Sequence, residues 1–314
     1  MPQIENVLVT GGCGFIGANL VRFLRERTPW RVRVIDNMQT GDPDHVSGEL
    51  AEVVEGNVAD PQALDPALEG IDAVIHLAST TGVVPSVEDP IRDFEGNPLP
   101  TFRLLEACRQ RGIDRVVFAS SGATLGEAPP PVNEEVLPRP LSPYGAGKLA
   151  GEAYCQAFAA SHGMQTAALR FSNVYGPFSL RKKGNAIPNF VRRCLSSEPM
   201  VIYGDGMQTR DFIYVEDLCD CIHRAATTDG IGGEVFQVAM GAETSILDLA
   251  ELVRKVTGAE SEIRFEPKRA GEIYKSWADI SKARRVLGFD PQVDLEEGIT
   301  RTVDWYRANW SPGQ

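Results

Sequence analysis

Tyr144 and Lys148, within Leu141-Ser142-Pro143-Tyr144-Gly145-Ala146-Gly147-Lys148, are the residues whose types and spacing most directly suggest chemistry. If the segment after Pro143 is helical, a four-residue spacing sets both side chains on one face, about one turn apart. An ammonium beside a phenol favours phenolate. It would draw a group that titrates at about 10 in water toward the neutral range, where proton abstraction is efficient. Taken alone, a Tyr-x-x-x-Lys is more often a surface pair on an amphipathic helix, so the surrounding elements must supply its partners.

The first of those elements is at the N-terminus. Val7-Leu8-Val9-Thr10 is an apolar run that ends in Gly11-Gly12-Cys13-Gly14-Phe15-Ile16-Gly17, followed by a helical pattern through Leu20, Val21 and Leu24. Strand, tight glycine turn and helix follow one another. Glycines 12, 14 and 17 fit G-x-G-x-x-G, and glycines 11, 14 and 17 fit its wider form. Their missing side chains would let the backbone of Gly11, Gly14, Phe15, Ile16 and Gly17, at a helix N-terminus, approach a pyrophosphate. A second strand, Arg31 to Ile35, delivers Asp36 and Asn37 about twenty residues further on, where a carboxylate meets an adenosine ribose. Asp36 would accept hydrogen bonds from both ribose hydroxyls and repel a 2′-phosphate, favouring NAD over NADP. The ordinary alternative is a turn aspartate. A third strand, Glu52 to Gly56, leads to Asp60, a helix N-cap that could also contact the adenine.

Ala73-Val74-Ile75-His76-Leu77-Ala78 reads as the next buried strand, with small residues at Ala78, Ser79 and Thr80 that would let a cofactor lie close. His76, inside an apolar run, reads as a satisfied core histidine. A helix starts near Asn97, with Pro98 and Pro100 in its first turn. Val116 to Ser121 is another strand, ending in hydroxyls where parallel sheets place their ligands. Ser121 is positioned to hydrogen-bond a substrate hydroxyl, 23 residues before Tyr144. Strand–helix alternation throughout predicts a parallel, doubly wound α/β sheet. No Gly-x-Ser-x-Gly elbow is present, which argues against a serine hydrolase.

Bulk properties narrow the partners. The chain has 314 residues and a formal net charge of -12, so a nucleic acid is not expected as a general partner, whereas a local basic pocket could hold a small phosphate ligand. Six cysteines, with no Cys-x-x-Cys pair, read as reduced thiols of a cytoplasmic protein. No export signal and no apolar run of about 18 residues is visible, so no membrane association is expected.

With these residues assembled, the sequence resembles the extended short-chain dehydrogenase/reductase family, in particular its nucleotide-sugar epimerases and dehydratases. The likeness runs through Thr10 to Gly17, His76-Leu77-Ala78, Ser120-Ser121, Pro143 to Lys148 and Leu169-Arg170-Phe171-Ser172-Asn173-Val174-Tyr175-Gly176-Pro177. It continues through Tyr203-Gly204-Asp205-Gly206-Met207-Gln208-Thr209-Arg210-Asp211-Phe212-Ile213, Arg269 to Glu272, Trp277-Ala278-Asp279 and Leu287-Gly288-Phe289. The resemblance implies a Rossmann-type sheet (residues 1–175 plus about 212–240) and a smaller, discontinuous α/β lobe for the nucleotide sugar (176–211 plus 241–314). It also implies tightly held NAD, a UDP-sugar substrate and a homodimer packed through the helices after Asn97 and Tyr144. Tyr144 would take the proton of a sugar 4-hydroxyl, Ser121 would anchor the 4-oxygen, and Lys148 would bind the nicotinamide ribose and lower the Tyr144 pKa. Asn173, Arg210 and Arg269 would meet the diphosphate, and Glu272 the uridine ribose.

Departures from the family pattern suggest the subclass. The family's 4,6-dehydratases carry Asp-Glu after the residue matching Ser121, and its UDP-glucuronate decarboxylases a Glu at the position of Ala123. Here Gly122-Ala123 follow, which leaves 4-epimerisation between gluco and galacto configurations as the simplest expectation. Thr124-Leu125-Gly126 stands where the family commonly has Val-Tyr-Gly. The basic run Arg181-Lys182-Lys183 is either a solvated loop or a segment that meets the diphosphate or a uronate carboxylate, keeping a UDP-glucuronate 4-epimerase in view. Ser276 stands where UDP-galactose epimerases often hold a large aromatic, so a pocket admitting N-acetylhexosamines is expected.

Overall fold

The computed structural model describes residues 4–182, 184–268 and 273–311. Lys183, Arg269 and Glu272 therefore lie outside the described residues. The first half of the chain runs β1 (Asn6–Thr10), α1 (Phe15–Arg27), β2 (Arg31–Asp36), β3 (Glu52–Glu55), α2 (Pro61–Ala67), β4 (Ala73–His76), α3 (Val83–Glu88), α4 (Pro90–Gly96), α5 (Pro98–Arg111), β5 (Arg115–Ser121), α6 (Pro143–His162) and β6 (Gln165–Phe171). The second half runs β7 (Asn173–Tyr175), α7 (Ala186–Leu195), β8 (Met200–Tyr203), β9 (Thr209–Arg210), β10 (Phe212–Tyr214), α8 (Val215–Thr227), β11 (Glu234–Val238), β12 (Thr244–Ser245), α9 (Ile246–Thr257), β13 (Ile263–Glu266), α10 (Ser281–Leu287) and α11 (Leu295–Asn309).

Seven strands form one sheet in the order β11-β6-β5-β4-β1-β2-β3, every pair parallel. The alternation of β1 explains why both faces must be covered: Val7 and Val9 enter the core with Leu20, Leu24, Leu218 and Ile222 of α1 and α8. Leu8 points the other way, into a core with Leu104, Leu105 and Phe158 of α5 and α6. The strand order reverses between β1 and β4, so their carboxyl ends open a crevice. Within the 212–240 stretch expected to belong to this sheet, β11 does return to it, as an edge strand paired with β6.

A third core gathers Ile187, Phe190 and Val191 of α7 with Leu249, Val253, Ile299, Val303 and Tyr306 of α9 and α11. Ile280, Ala283, Leu287 and Phe289 instead pack with the α1–α8 face of the main sheet. Two short helices, α3 and α4, precede the helix at Asn97, in a segment to which the sequence assigned no element. Proline and glycine there hid a helical pattern too short to show periodicity. No helix among the described residues is long and apolar enough to cross a membrane, and all six cysteines are buried free thiols.

One buried ion pair ties the catalytic-side helix to the sheet. Glu152 of α6 accepts from Arg170 of β6 at 2.9 and 2.7 Å and from the Ser120 hydroxyl at 2.5 Å, with both charged side chains at most 4% exposed. Replacing Arg170 by Met strands the carboxylate, and should cost about 3–5 kcal/mol of stability. Replacing both partners by apolar residues should cost less, which urea unfolding of the single and double variants would measure.

Candidate active site

The site forms where α6 begins against the end of β5. Ser142 caps α6, its hydroxyl accepting from the Gly145 N–H at 3.1 Å, and Pro143 occupies the first turn, so local sequence starts the helix at this point. Glycine then allows close approach: a Cβ on Gly145 would lie 2.5 Å from the Ala123 carbonyl, and one on Gly151 2.3 Å from the Phe118 ring. Tyr144 and Lys148 therefore face the turn after Ser121, and the Ser121 side chain lies close enough to the Tyr144 phenol to favour its ionised form. Ser121 also accepts from the Ala123 N–H at 3.2 Å, which orients its oxygen. Lys148 is 3% exposed. Its ammonium donates to the Ala119 carbonyl at 2.9 Å and lies 5.1 and 5.8 Å from the ring centres of Phe118 and Tyr144.

The electrostatics differ from the expectation drawn from spacing. Burial raises the Tyr144 pKa, the Ser121 side chain opposing this and the Asp93 charge adding to it. Lys148 does not draw the phenol toward neutrality, because a lysine whose own pKa lies below the phenol's has lost its charge where the phenol titrates. Its own pKa is pushed down to about 7, by burial first, with Asp93 holding it up and Lys182 lowering it further. Near neutral pH the pair is thus a protonated phenol above a lysine close to its own midpoint. His76 is a core residue as expected. Its ring nitrogens meet Thr10 at 2.7 Å and Thr101 at 3.1 Å, and burial lowers its pKa to about 3, so it is neutral.

The glycine turn lies beside this pair at the β1–β4 crevice. Gly11 has φ +67, and a Cβ on it would meet the Ala78 backbone at 2.8 Å; a Cβ on Gly17 would lie 2.3 Å from the Gly11 carbonyl. No side chain caps the first turn of α1, so the N-terminal N–H groups at Phe15, Ile16 and Gly17 suit an anion. Asp36 is 6% exposed. One carboxylate oxygen accepts from Cys13 N–H at 3.0 Å and the other from Met38 N–H at 2.9 Å. Each retains lone-pair capacity for a ribose hydroxyl. The bare turn, the uncapped helix and the half-satisfied carboxylate fit NAD. Asn37 accepts from Gln39 N–H at 3.2 Å. Asp60 caps α2 through Gln62 N–H at 3.0 Å, which is its ordinary alternative role.

A second cavity of about 400 Å³ opens in the smaller lobe, and it brings Asn173 and Arg210 together with Tyr203, Gln208 and Phe190. Asn173 donates to the Asp211 carbonyl at 3.1 Å, and Arg210 to the Thr209 carbonyl at 2.7 Å. Asp211 anchors this wall: it is 1% exposed and its carboxylate accepts from Met240, Gly241 and Ala278 N–H groups. Ser276 is half-buried, between the Thr209–Tyr274 and Val132–Trp277 backbone hydrogen bonds.

The basic run divides. Lys182 reaches across to the end of β4, donating to the Thr81 hydroxyl at 2.9 Å, whereas Arg181 acts on His45. Their loop is pinned by Ser179, bonded to the Gly176 carbonyl at 2.7 Å and to the Tyr306 hydroxyl at 3.1 Å, and by Phe178. The Phe178 ring lies 4.7 Å from His45 and 5.0 Å from Trp305. Asp93, Asn97 and Thr81 were not singled out by sequence motifs as site residues. Only the packing of α4 and α5 against α6 brings Asp93 and Asn97 there.

Comparisons with known proteins agree with this fold. The sequence profile described as the NAD dependent epimerase/dehydratase family matches residues 7–239. A UDP-glucose 4-epimerase of Mycolicibacterium smegmatis is 36% identical over 311 residues, spanning 96% of this chain and 98% of that protein. The crystal structure of a Thermotoga maritima UDP-glucose 4-epimerase with UDP-glucose superposes with a TM-score of 0.91 at 34% identity, covering 97% of this chain and 99% of that one. A Bacillus cereus UDP-glucuronic acid 4-epimerase, solved with UDP-glucuronic acid and NAD, gives 0.90 at 31%, covering 98% and 100%. The Rossmann-type sheet, the dinucleotide cradle and these likenesses along nearly the whole chain place it in the NAD-dependent epimerase/dehydratase family.

Proposed function

We propose that the chain is a UDP-sugar 4-epimerase acting between gluco and galacto configurations, with Ser121, Tyr144 and Lys148 as its catalytic residues. The observation that carries this reading is the Ser121 side chain beside the Tyr144 phenol, with buried Lys148 5.8 Å from the Tyr144 ring centre, followed by a turn, Gly122-Ala123, that holds no carboxylate. NAD, when bound, accepts a hydride from the sugar and returns it. The chain handles the proton: Tyr144, in the fraction that has released its own proton and stands as phenolate, takes one from the 4-hydroxyl and gives it back, while Ser121 holds the 4-oxygen. A carboxylate pair for water loss is what the dehydratases need, and the turn after Ser121 lacks it. In this reading Gly11, Gly14, Phe15, Ile16 and Gly17 hold the pyrophosphate, and Asp36, with Asn37 and Asp60 beside it, holds the adenosine end.

The sugar nucleotide occupies the smaller lobe, comprising 176–211 and the chain after 241 apart from the 278–289 stretch that packs with the sheet. Asn173 and Arg210 meet its diphosphate, and the small side chain at Ser276 would admit an N-acetyl group at C2. A second copy of the chain covers the outer face of α5 and α6, where Phe102 is 41% and Tyr154 37% exposed, their rings 5.2 Å apart. Lys182 supports a second reading, UDP-glucuronate as substrate, because its ammonium stands close enough to Lys148 to lower that lysine's pKa and could pair with a carboxylate on C6.

Replacing Tyr144 by Phe should lower turnover about 10²- to 10⁴-fold while NAD remains bound, read by product NMR and by cofactor absorbance after denaturation; unchanged turnover would refute the mechanism. Mass spectrometry of a UDP-sugar panel should show products of unchanged mass, against loss of water or carbon dioxide for the rival reactions. If the uronate reading holds, Lys182→Met should raise KM for UDP-glucuronate at least about tenfold, the worth of one charge-assisted hydrogen bond, and leave KM for UDP-glucose within about twofold. Equal effects on both substrates would assign Lys182 to the diphosphate instead.

A further inference from the structure

We propose that Asp93 is a positioning residue for the Tyr144–Lys148 pair, a buried carboxylate whose charge sets how strongly those two side chains hold their protons. The proposal rests on the proton-handling role given above to Tyr144 and Lys148. Asp93 lies on α4, outside every motif that pointed to the site, yet it is 2% exposed. A carboxylate at that depth needs hydrogen bonds and a counter-charge. It has one strong side-chain donor: the Asn97 amide, at 2.8 Å. Asn97, itself 3% exposed, is locked by the Thr80 carbonyl at 3.0 Å and the Ser79 hydroxyl at 2.6 Å. The carboxylate therefore cannot swing away.

Its second oxygen is pressed against α6. A Cβ on Gly147 would lie 3.2 Å from Asp93 Oδ2, with Pro98 and Asn97 equally close. Glycine at 147 thus lets the carboxylate reach the turn that carries Tyr144 and Lys148. The charged and titratable groups around the pair are few; one turn past Lys148 on α6, Glu152 is matched by Arg170 in a buried ion pair. Asp93 comes from α4, Lys182 from the 176–185 loop, and His76, neutral, from β4. Asp89 caps the start of α4 through Arg92 N–H, and Arg92 and Glu95 on the same helix are exposed. Among the described residues, Asp93 is the carboxylate whose field reaches both Tyr144 and Lys148.

Its effects on the two are of one sign. A negative charge favours the ammonium of Lys148 and disfavours the phenolate of Tyr144, so removing it makes both groups release protons more readily. Lys182 acts in the opposite sense on Lys148. The working protonation state of the pair is a balance between the Asp93 carboxylate on one side and the Lys182 cation on the other.

The test is a titration of full-length protein carrying 13Cε-labelled lysine, with NMR following Lys148 in the NAD-free and NAD-loaded forms. Asp93→Asn keeps the shape and an acceptor for Asn97, and should lower the Lys148 midpoint by about one pH unit or more. Lys182→Met should raise it. The ultraviolet titration of Tyr144 and the pH–rate profile should both move to lower pH in Asp93→Asn. Gly147→Ala, which retains the carboxylate but pushes it from α6, should shift Lys148 in the same direction and serves if Asp93→Asn does not fold. An unmoved Lys148 midpoint in either folded variant, with an unmoved pH–rate profile, would reduce Asp93 to a partner of Asn97 and overturn the proposal. A shifted midpoint in a protein without 4-epimerase turnover would uphold the electrostatic role while refuting the functional reading.

Discussion

Much of this molecule is arranged around one unfavourable act, the burial of the Lys148 ammonium at 3% exposure. Desolvation alone would strip its proton, and its pKa does fall to about 7. What keeps it near neutrality is a set of groups from separate elements: the Ala119 carbonyl of β5, the faces of the Phe118 and Tyr144 rings, and the Asp93 charge from α4. Each can serve only if α6 lies unusually close to β5 and α4. Small residues at 145, 147 and 151 provide that closeness, because any larger side chain would strike backbone, a carboxylate or an aromatic ring.

The same device recurs at the dinucleotide cradle. Gly17 approaches Gly11, and Gly11 approaches Ala78, so that the end of β1 and the end of β4 can meet at the point where the strand order reverses. Cys13 N–H bonded to Asp36 then ties the glycine turn to the end of β2. Close backbone approach and buried charge therefore specify one another: the turn can be bare because an anion is meant to satisfy it, and Asp36 can be buried because backbone N–H groups meet it.

The smaller lobe is joined to the sheet by anchors of a different kind. Asp211 gathers N–H groups from the segments around 240 and 278, so the strand that presents Arg210 is held to the end of β11. Phe178, with φ +64, accepts backbone strain of about 1–3 kcal/mol and is held by His45, Trp305 and the Arg22 guanidinium. Through that loop Lys182 reaches Thr81, so a cation from the second half of the chain stands at the mouth of the first.

Much of the fold was legible in the order of residues because it depends on local periodicity and on glycine. The strands at 7–10, 31–35 and 116–121, the helix starting at Pro143 and the glycine turn all stand where alternation, capping and turn chemistry put them. Ser121, Tyr144 and Lys148 could be read as a set because each lies at the end of a strand or the start of a helix, where parallel sheets gather their ligands. The protonation of that set could not be read, since it depends on burial and on charges distant in the chain. A four-residue spacing predicts that Tyr144 and Lys148 share a helix face; it does not reveal that the ammonium turns to Ala119, or that Asp93 lies behind it. Those were decided by how α3, α4 and α5 pack on α6, and packing sets the depth of a charge and its neighbours, the two quantities that govern when it holds a proton.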